Sequence, residues 1–180
     1  MRILKEDTVL VVVDIQERLL PHINENEQLV AKCKTLIEGI KLINVPTIVT
    51  EQYVKGLGQT VGSIATSLGD FQPIEKMSFS CCGEPNFNIK IEERYRENVL
   101  LCGIESHVCV LQTAIDLQDA GHRPIVVADA VSSRNLEDKE LALHRFSTEG
   151  IRVTSVESIL FELCKLSGTA EFKAISKLVK

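Results

Sequence analysis

The sequence lacks a surplus of positive charge: 20 Lys and Arg stand against 25 Asp and Glu, for a formal net charge of −5. The basic residues are scattered among acidic ones, so no face offers the electrostatic footprint of a phosphate backbone, and nucleic acid is not an expected partner. A long apolar run is also missing. Charges appear within the first seven residues, and the short apolar run that follows ends at Asp14, which fits neither a signal peptide nor a membrane span. The expectation is a soluble, cytoplasmic chain with no membrane partner. Six cysteines show neither the density of a secreted disulfide framework nor the paired CxxC spacing of a zinc site, so free thiols are expected. Core packing accounts for Cys33, Cys102 and Cys164. Repeats, linkers and low-complexity stretches are absent as well.

What is present suffices for one core. A length of 180 residues and an apolar fraction of 44% fit a single domain over residues 1–180. Short β-branched runs at 8–14, 46–50, 73–76, 98–103, 124–128 and 152–155 read as strands. Two of them, Val9-Leu10-Val11-Val12-Val13 and Ile125-Val126-Val127, are apolar on both faces, as strands covered by helices above and below must be. Segments of helical period lie between them, at 27–43, 60–68, 86–94, 108–120, 137–149 and 158–165. Gly121 and Gly150 are placed as C-terminal caps, and Ser106 and Asn135 as N-caps. This alternation predicts an α/β fold, a three-layer α/β/α sandwich around a mostly parallel, Rossmann-like sheet of six strands. Ligands bind such sheets along the C-terminal strand ends. Residues 168–180 read as a detachable tail helix for subunit contacts, consistent with a homo-oligomer.

Three strand ends carry chemistry. Asp14 terminates a wholly apolar strand; from position alone it serves equally as a cap of the next turn or as an acid–base group. Cys109 lies where a tight turn gives way to a helix, and there unpaired backbone N–H groups and the positive dipole end favour a thiolate and can hold an oxyanion. A buried structural thiol is the alternative. Lys76 closes the third strand candidate; a lone lysine there reads first as a solvated surface group, but turned into the crevice its ammonium would stabilise both anions.

Val13-Asp14-Ile15-Gln16, then Lys76, then the run from Gly103 to Ala114 resemble the three catalytic blocks of the isochorismatase-like cysteine hydrolases. The segments 50–58 and 128–134 are similar to the isochorismatase-domain-containing branch. The resemblance implies Asp14 as general acid/base, Lys76 as electrostatic stabiliser and Cys109 as nucleophile, with oxyanion donors from the backbone of Glu105 and Cys109. It also implies a cis peptide between Ile104 and Glu105. Gln16, Tyr53 and His107 are candidate pocket residues, whereas Asp129 and Ser132 read as braces and His22, His122 and His144 as surface groups.

Departures from relatives narrow the chemistry. Nicotinamidases of this superfamily hold a metal with an Asp and His cluster after the second strand, but here that region reads Glu51-Gln52-Tyr53-Val54-Lys55, so no metal and no cofactor are expected. Gly56-Leu57-Gly58 lacks a dinucleotide or P-loop frame. Vinyl-ether-cleaving isochorismatases typically lack the nucleophilic cysteine, so Cys109 favours a small amide-like substrate and a thioester acyl-enzyme. The alternatives are a vinyl-ether hydrolase and a non-catalytic oligomeric interaction protein that retains the fold.

Overall fold

A computed structural model describes residues 2–180. Its six strands are β1 (Thr8–Val13), β2 (Thr47–Gln52), β3 (Ile74–Lys76), β4 (Asn98–Ile104), β5 (Arg123–Ser132) and β6 (Arg152–Thr154). They form one sheet in the order β3-β2-β1-β4-β5-β6, with every pair parallel. Strand order reverses at β1, which has β2 on one side and β4 on the other. The crevice beyond the C-terminal ends of β1 and β4 is the topological switch point, the place where open α/β sheets bind ligands.

Among the described residues, eight α-helices cover the sheet: α1 (Asn26–Leu42), α2 (Val54–Leu57), α3 (Gly62–Leu68), α4 (Pro85–Glu92), α5 (Leu111–Asp119), α6 (Leu136–Thr148), α7 (Val156–Cys164) and α8 (Ala170–Leu178). The period of two in a strand explains the layering. Leu10 and Val12 of β1 face a core built with α1, α3, α7 and α8, while Val9, Val11 and Val13 face a second core built with α4, α5 and α6. Every residue of β1 and β4 is buried, as their uninterrupted apolar character requires. Phe146 of α6 is fully buried in the second core. Phe146→Ala is expected to lower stability by about 3–5 kcal/mol, read from the midpoint of urea unfolding at unchanged slope.

Several expectations shift in detail. β5 runs to Ser132 rather than to 128 because its register against β4 slips between Leu101 and Gly103, which takes up the residues between Val126 and Val131. Ser106 does not cap a helix. Glu105 holds the extended N-cap position, and a π turn over Ser106–Val110 precedes α5. Asn135 sits at the N-cap of α6, but its side chain donates to Asp138 instead of to the helix backbone. Gly121 and Gly150 do terminate helices with positive φ. The tail helix α8 docks on its own chain: Ile175 is buried, the Phe172 and Phe161 rings lie 5.8 Å apart, and Lys5 pairs with Glu171 at 2.8 Å. That apolar face is therefore occupied within the chain rather than offered to a second copy.

Candidate active site

The residue after β1 is Asp14, held in the left-handed region at φ 50°. Its backbone N–H donates to the Thr50 carbonyl at 3.2 Å, which ties the end of β1 to β2. On the other side, β4 approaches β1 very closely at Gly103. A Cβ there would stand 2.0 Å from the Val13 carbonyl oxygen, and φ is 118°, so only glycine fits. That close approach brings the turn carrying Cys109 beside Asp14. Lys76, the last residue of β3, enters from the opposite direction.

The three side chains meet below the surface. The Lys76 ammonium is 2.6 Å from Asp14 Oδ2, with both side chains fully buried. It also donates to the Ser78 carbonyl at 3.0 Å and the Phe79 carbonyl at 2.9 Å. An ammonium has three N–H groups, so all of them are committed. Lys76 therefore acts on Cys109 through its charge and not through a hydrogen bond. The other carboxylate oxygen, Asp14 Oδ1, accepts from the Thr50 hydroxyl at 2.7 Å. The Cys109 thiol lies within the electrostatic reach of this carboxylate.

Burial raises the Asp14 carboxyl above the ordinary carboxylate range, and Lys76, Thr50 and Cys109 offset that only in part. Burial works to lower the Lys76 pKa, but Asp14 and the neighbouring thiols outweigh it and leave the ammonium more firmly protonated than in water. Cys109 departs from the sequence expectation. Burial, followed by the Asp14 carboxylate, pushes its thiol up to about 12, so it rests as a thiol and not as a thiolate. A second buried thiol, Cys81, stands behind the same group, raised to about 11 by burial and by Asp14, with its sulfur 3.7 Å from Thr50 Oγ1.

Cys109 is 5% exposed and forms part of a cavity of about 500 Å³. Leu19, Ile23, Leu57, Phe79 and Val108 give it apolar walls, and Gln52, His22, Glu105 and Arg134 add polar groups. Asp14 and Lys76 lie behind the thiol rather than in the wall. The Arg134 backbone N–H and Nε both donate to Glu105 Oε2, at 2.9 and 3.2 Å. The Ile104–Glu105 peptide is cis.

The three candidate pocket residues do not line this cavity. Gln16 is buried beneath it, donating to the carbonyls of Gln52 and Gly58 and accepting from the Gln52 N–H at 2.7 Å. Tyr53 lies on the outside, its ring over Gly56. His107 turns toward α6, with Nδ1 2.8 Å from the Ser133 hydroxyl and Nε2 3.9 Å from Asp138. Asp129 braces the start of α7 by accepting from the Val156 N–H, and the Ser132 hydroxyl donates to the Asn24 carbonyl. His22 is exposed as expected, yet it reaches the cavity mouth. The Glu51 carboxylate accepts from both the N–H and the hydroxyl of Thr60 at 2.6 Å. Among the described residues no three His, Cys, Asp or Glu side chains are grouped to hold a metal ion.

A model of the isochorismatase domain matches residues 8–158. The chain belongs to the isochorismatase-domain family. It is 41% identical to the secreted isochorismatase effector Isc1 of Phytophthora sojae, over 99% of this chain and 87% of that protein. It is 36% identical to isochorismatase domain-containing protein 2A of Mus musculus, over 99% of this chain and 85% of that one. A solved structure described as the MAR1 ribonuclease of Caenorhabditis elegans superposes with a TM-score of 0.93 at 37% identity, covering 99% of this chain and 92% of that one. Within this family of hydrolase folds, the features that sequence reasoning missed are Thr50, Cys81 and the Glu105–Arg134 pair. Thr50 had a visible signal: it is a polar residue at the end of an apolar strand on the same edge as Asp14.

Proposed function

We propose that the protein is a cysteine-dependent hydrolase of small amide-like substrates. The observation that carries this reading is a single thiol, Cys109, at the boundary of a mostly apolar cavity with the Asp14–Lys76 ion pair directly behind it. Asp14 takes the thiol proton as the sulfur attacks the carbonyl carbon, and the fixed charge of Lys76 stabilises the developing anion. The backbone N–H groups of Glu105 and Cys109 receive the tetrahedral oxyanion. Its collapse breaks the C–N bond, and Asp14 returns the proton to the departing amine, leaving a thioester. Water, deprotonated by Asp14, then cleaves the thioester; the acid leaves and the thiol regains its proton. The scheme uses no cofactor. A thiol at about 12 suits it, because proton transfer to a neighbouring carboxylate during attack replaces a standing thiolate.

We assign the protein to the cytoplasm, where unpaired thiols such as its six persist. Among the described residues no helix is long and apolar enough to cross a membrane. Self-association is part of the same proposal, supported by the exposed side chains of Tyr53, Met77 and Phe79. The test of function is a panel of small amides, ureides and carbamoyl compounds, with short single-stranded RNA and a vinyl ether as further arms. Cys109-dependent ammonia release, unchanged by a chelator, is the expected result. Turnover of the vinyl ether or RNA alone, with no amide cleaved, would sink the amide reading.

A further inference from the structure

Thr50 does not line the cavity beside Cys109 and belongs to none of the groups that react in the proposed mechanism, yet its side chain is fully buried against the base. Its surroundings leave its hydroxyl one orientation. The single O–H donates to Asp14 Oδ1 at 2.7 Å, and the Cys81 thiol donates to Thr50 Oγ1 from behind at 3.7 Å. Cys81 is itself fixed, since its backbone N–H donates to Thr113 Oγ1 at 2.9 Å, and Thr113 lies on α5, one turn beyond Cys109. A chain of contacts thus runs from the nucleophile's helix through Cys81 and Thr50 to the carboxylate. Lys76 holds the opposite oxygen, Oδ2. The carboxylate is pinned at both ends.

We infer that Thr50 is a positioning residue, whose hydroxyl orients the Asp14 carboxylate and keeps it ionised so that it can take the proton of Cys109. The inference rests on Asp14 being the base, as proposed above. A hydrogen bond donated to a carboxylate favours its charged form, and Thr50 lowers the Asp14 pKa against the opposing effect of burial. Without the hydroxyl, Asp14 holds its proton to higher pH, and the carboxylate is free to rotate about the Lys76 contact.

The test needs no natural substrate. Iodoacetamide alkylates Cys109 with formation of an S–C bond and loss of iodide, while the thiol proton passes to Asp14. The rate at this residue, followed by mass spectrometry across pH, reports the ionisation of the base. Thr50→Val is expected to move the acid limb upward by about one pH unit, which is about tenfold slower alkylation below the limb. Thr50→Ser, which keeps the hydroxyl, is expected to restore the wild-type profile. Thr50→Ala supplies the same deletion where the valine variant does not fold. A valine or alanine profile that overlies the wild type, or a serine profile displaced as far as that of valine, would overturn the inference. Asp14→Asn separates the two levels. If its profile matches the wild type, Asp14 is not the base and both readings fall; if only the asparagine variant changes, this inference falls alone.

Discussion

Cys109→Ala is expected to leave no acyl-enzyme on any amide that the wild type cleaves, and to lower kcat by about 10⁴-fold or more, as removal of a covalent nucleophile does. Asp14→Asn should cost about 10²-fold or more, because the proposed general base is lost. Folding should survive the first change, since a 5% exposed thiol is replaced by a smaller apolar group. Single-turnover kinetics with mass spectrometry of the trapped thioester gives the measurement. Full turnover in the alanine variant on a confirmed substrate would rule out covalent catalysis and leave the vinyl-ether type of mechanism.

The second large effect is on stability. Lys76→Met removes the ammonium from a fully buried pair and strands the Asp14 carboxylate with only neutral donors. Breaking a buried pair from one side costs about 3–5 kcal/mol, and that loss is expected at neutral pH. The pH dependence follows from the directions of the shifts. The folded-state pKa of Asp14 already lies above its ordinary value, and loss of Lys76 raises it further. A carboxyl whose pKa is raised on folding loses stability as pH rises from the unfolded value toward the folded one. The gap between Lys76→Met and wild type should therefore narrow as pH falls and Asp14 takes up a proton. At the other extreme, the folded-state pKa of Lys76 is raised, so the wild type loses this contribution as pH rises past the ordinary lysine value. Urea unfolding of both proteins from acid to alkaline pH checks these slopes. A gap that is constant with pH would show that Asp14 does not change its protonation over the range.

Asp14 was legible in the sequence because it ends a wholly apolar strand buried on both faces. Lys76 was not: it ends a short edge strand whose middle residue is Glu75, and only its order in the family resemblance singled it out. Parallel pairing puts both strand ends on one edge. Cys109 was legible from its turn together with the family resemblance. Partner choice was less accessible. Thr50 contacts Asp14 because β2 is paired with β1 in a particular register, Val13 against Thr50, which periodicity alone does not define. His107 was drawn toward the pocket by its nearness in sequence to Cys109, but the π turn rotates it to Ser133. The protonation of Cys109 was less legible for a related reason, since the helix start is local and visible in the sequence, whereas the burial that chiefly raises the thiol, and the Asp14 carboxylate that adds to it, come from the tertiary fold.

Phe79 has two separate roles, and the separation matters for redesign. Its carbonyl oxygen grips the Lys76 ammonium, whereas its ring, 55% exposed, forms part of the cavity wall. Main chain holds the charge and side chain shapes the space. A residue of another size or polarity at 79 would leave the carbonyl in place, so the set of molecules admitted can drift without disturbing the reacting groups. Such a position is where selection, or a designer, can change selectivity at little cost to chemistry.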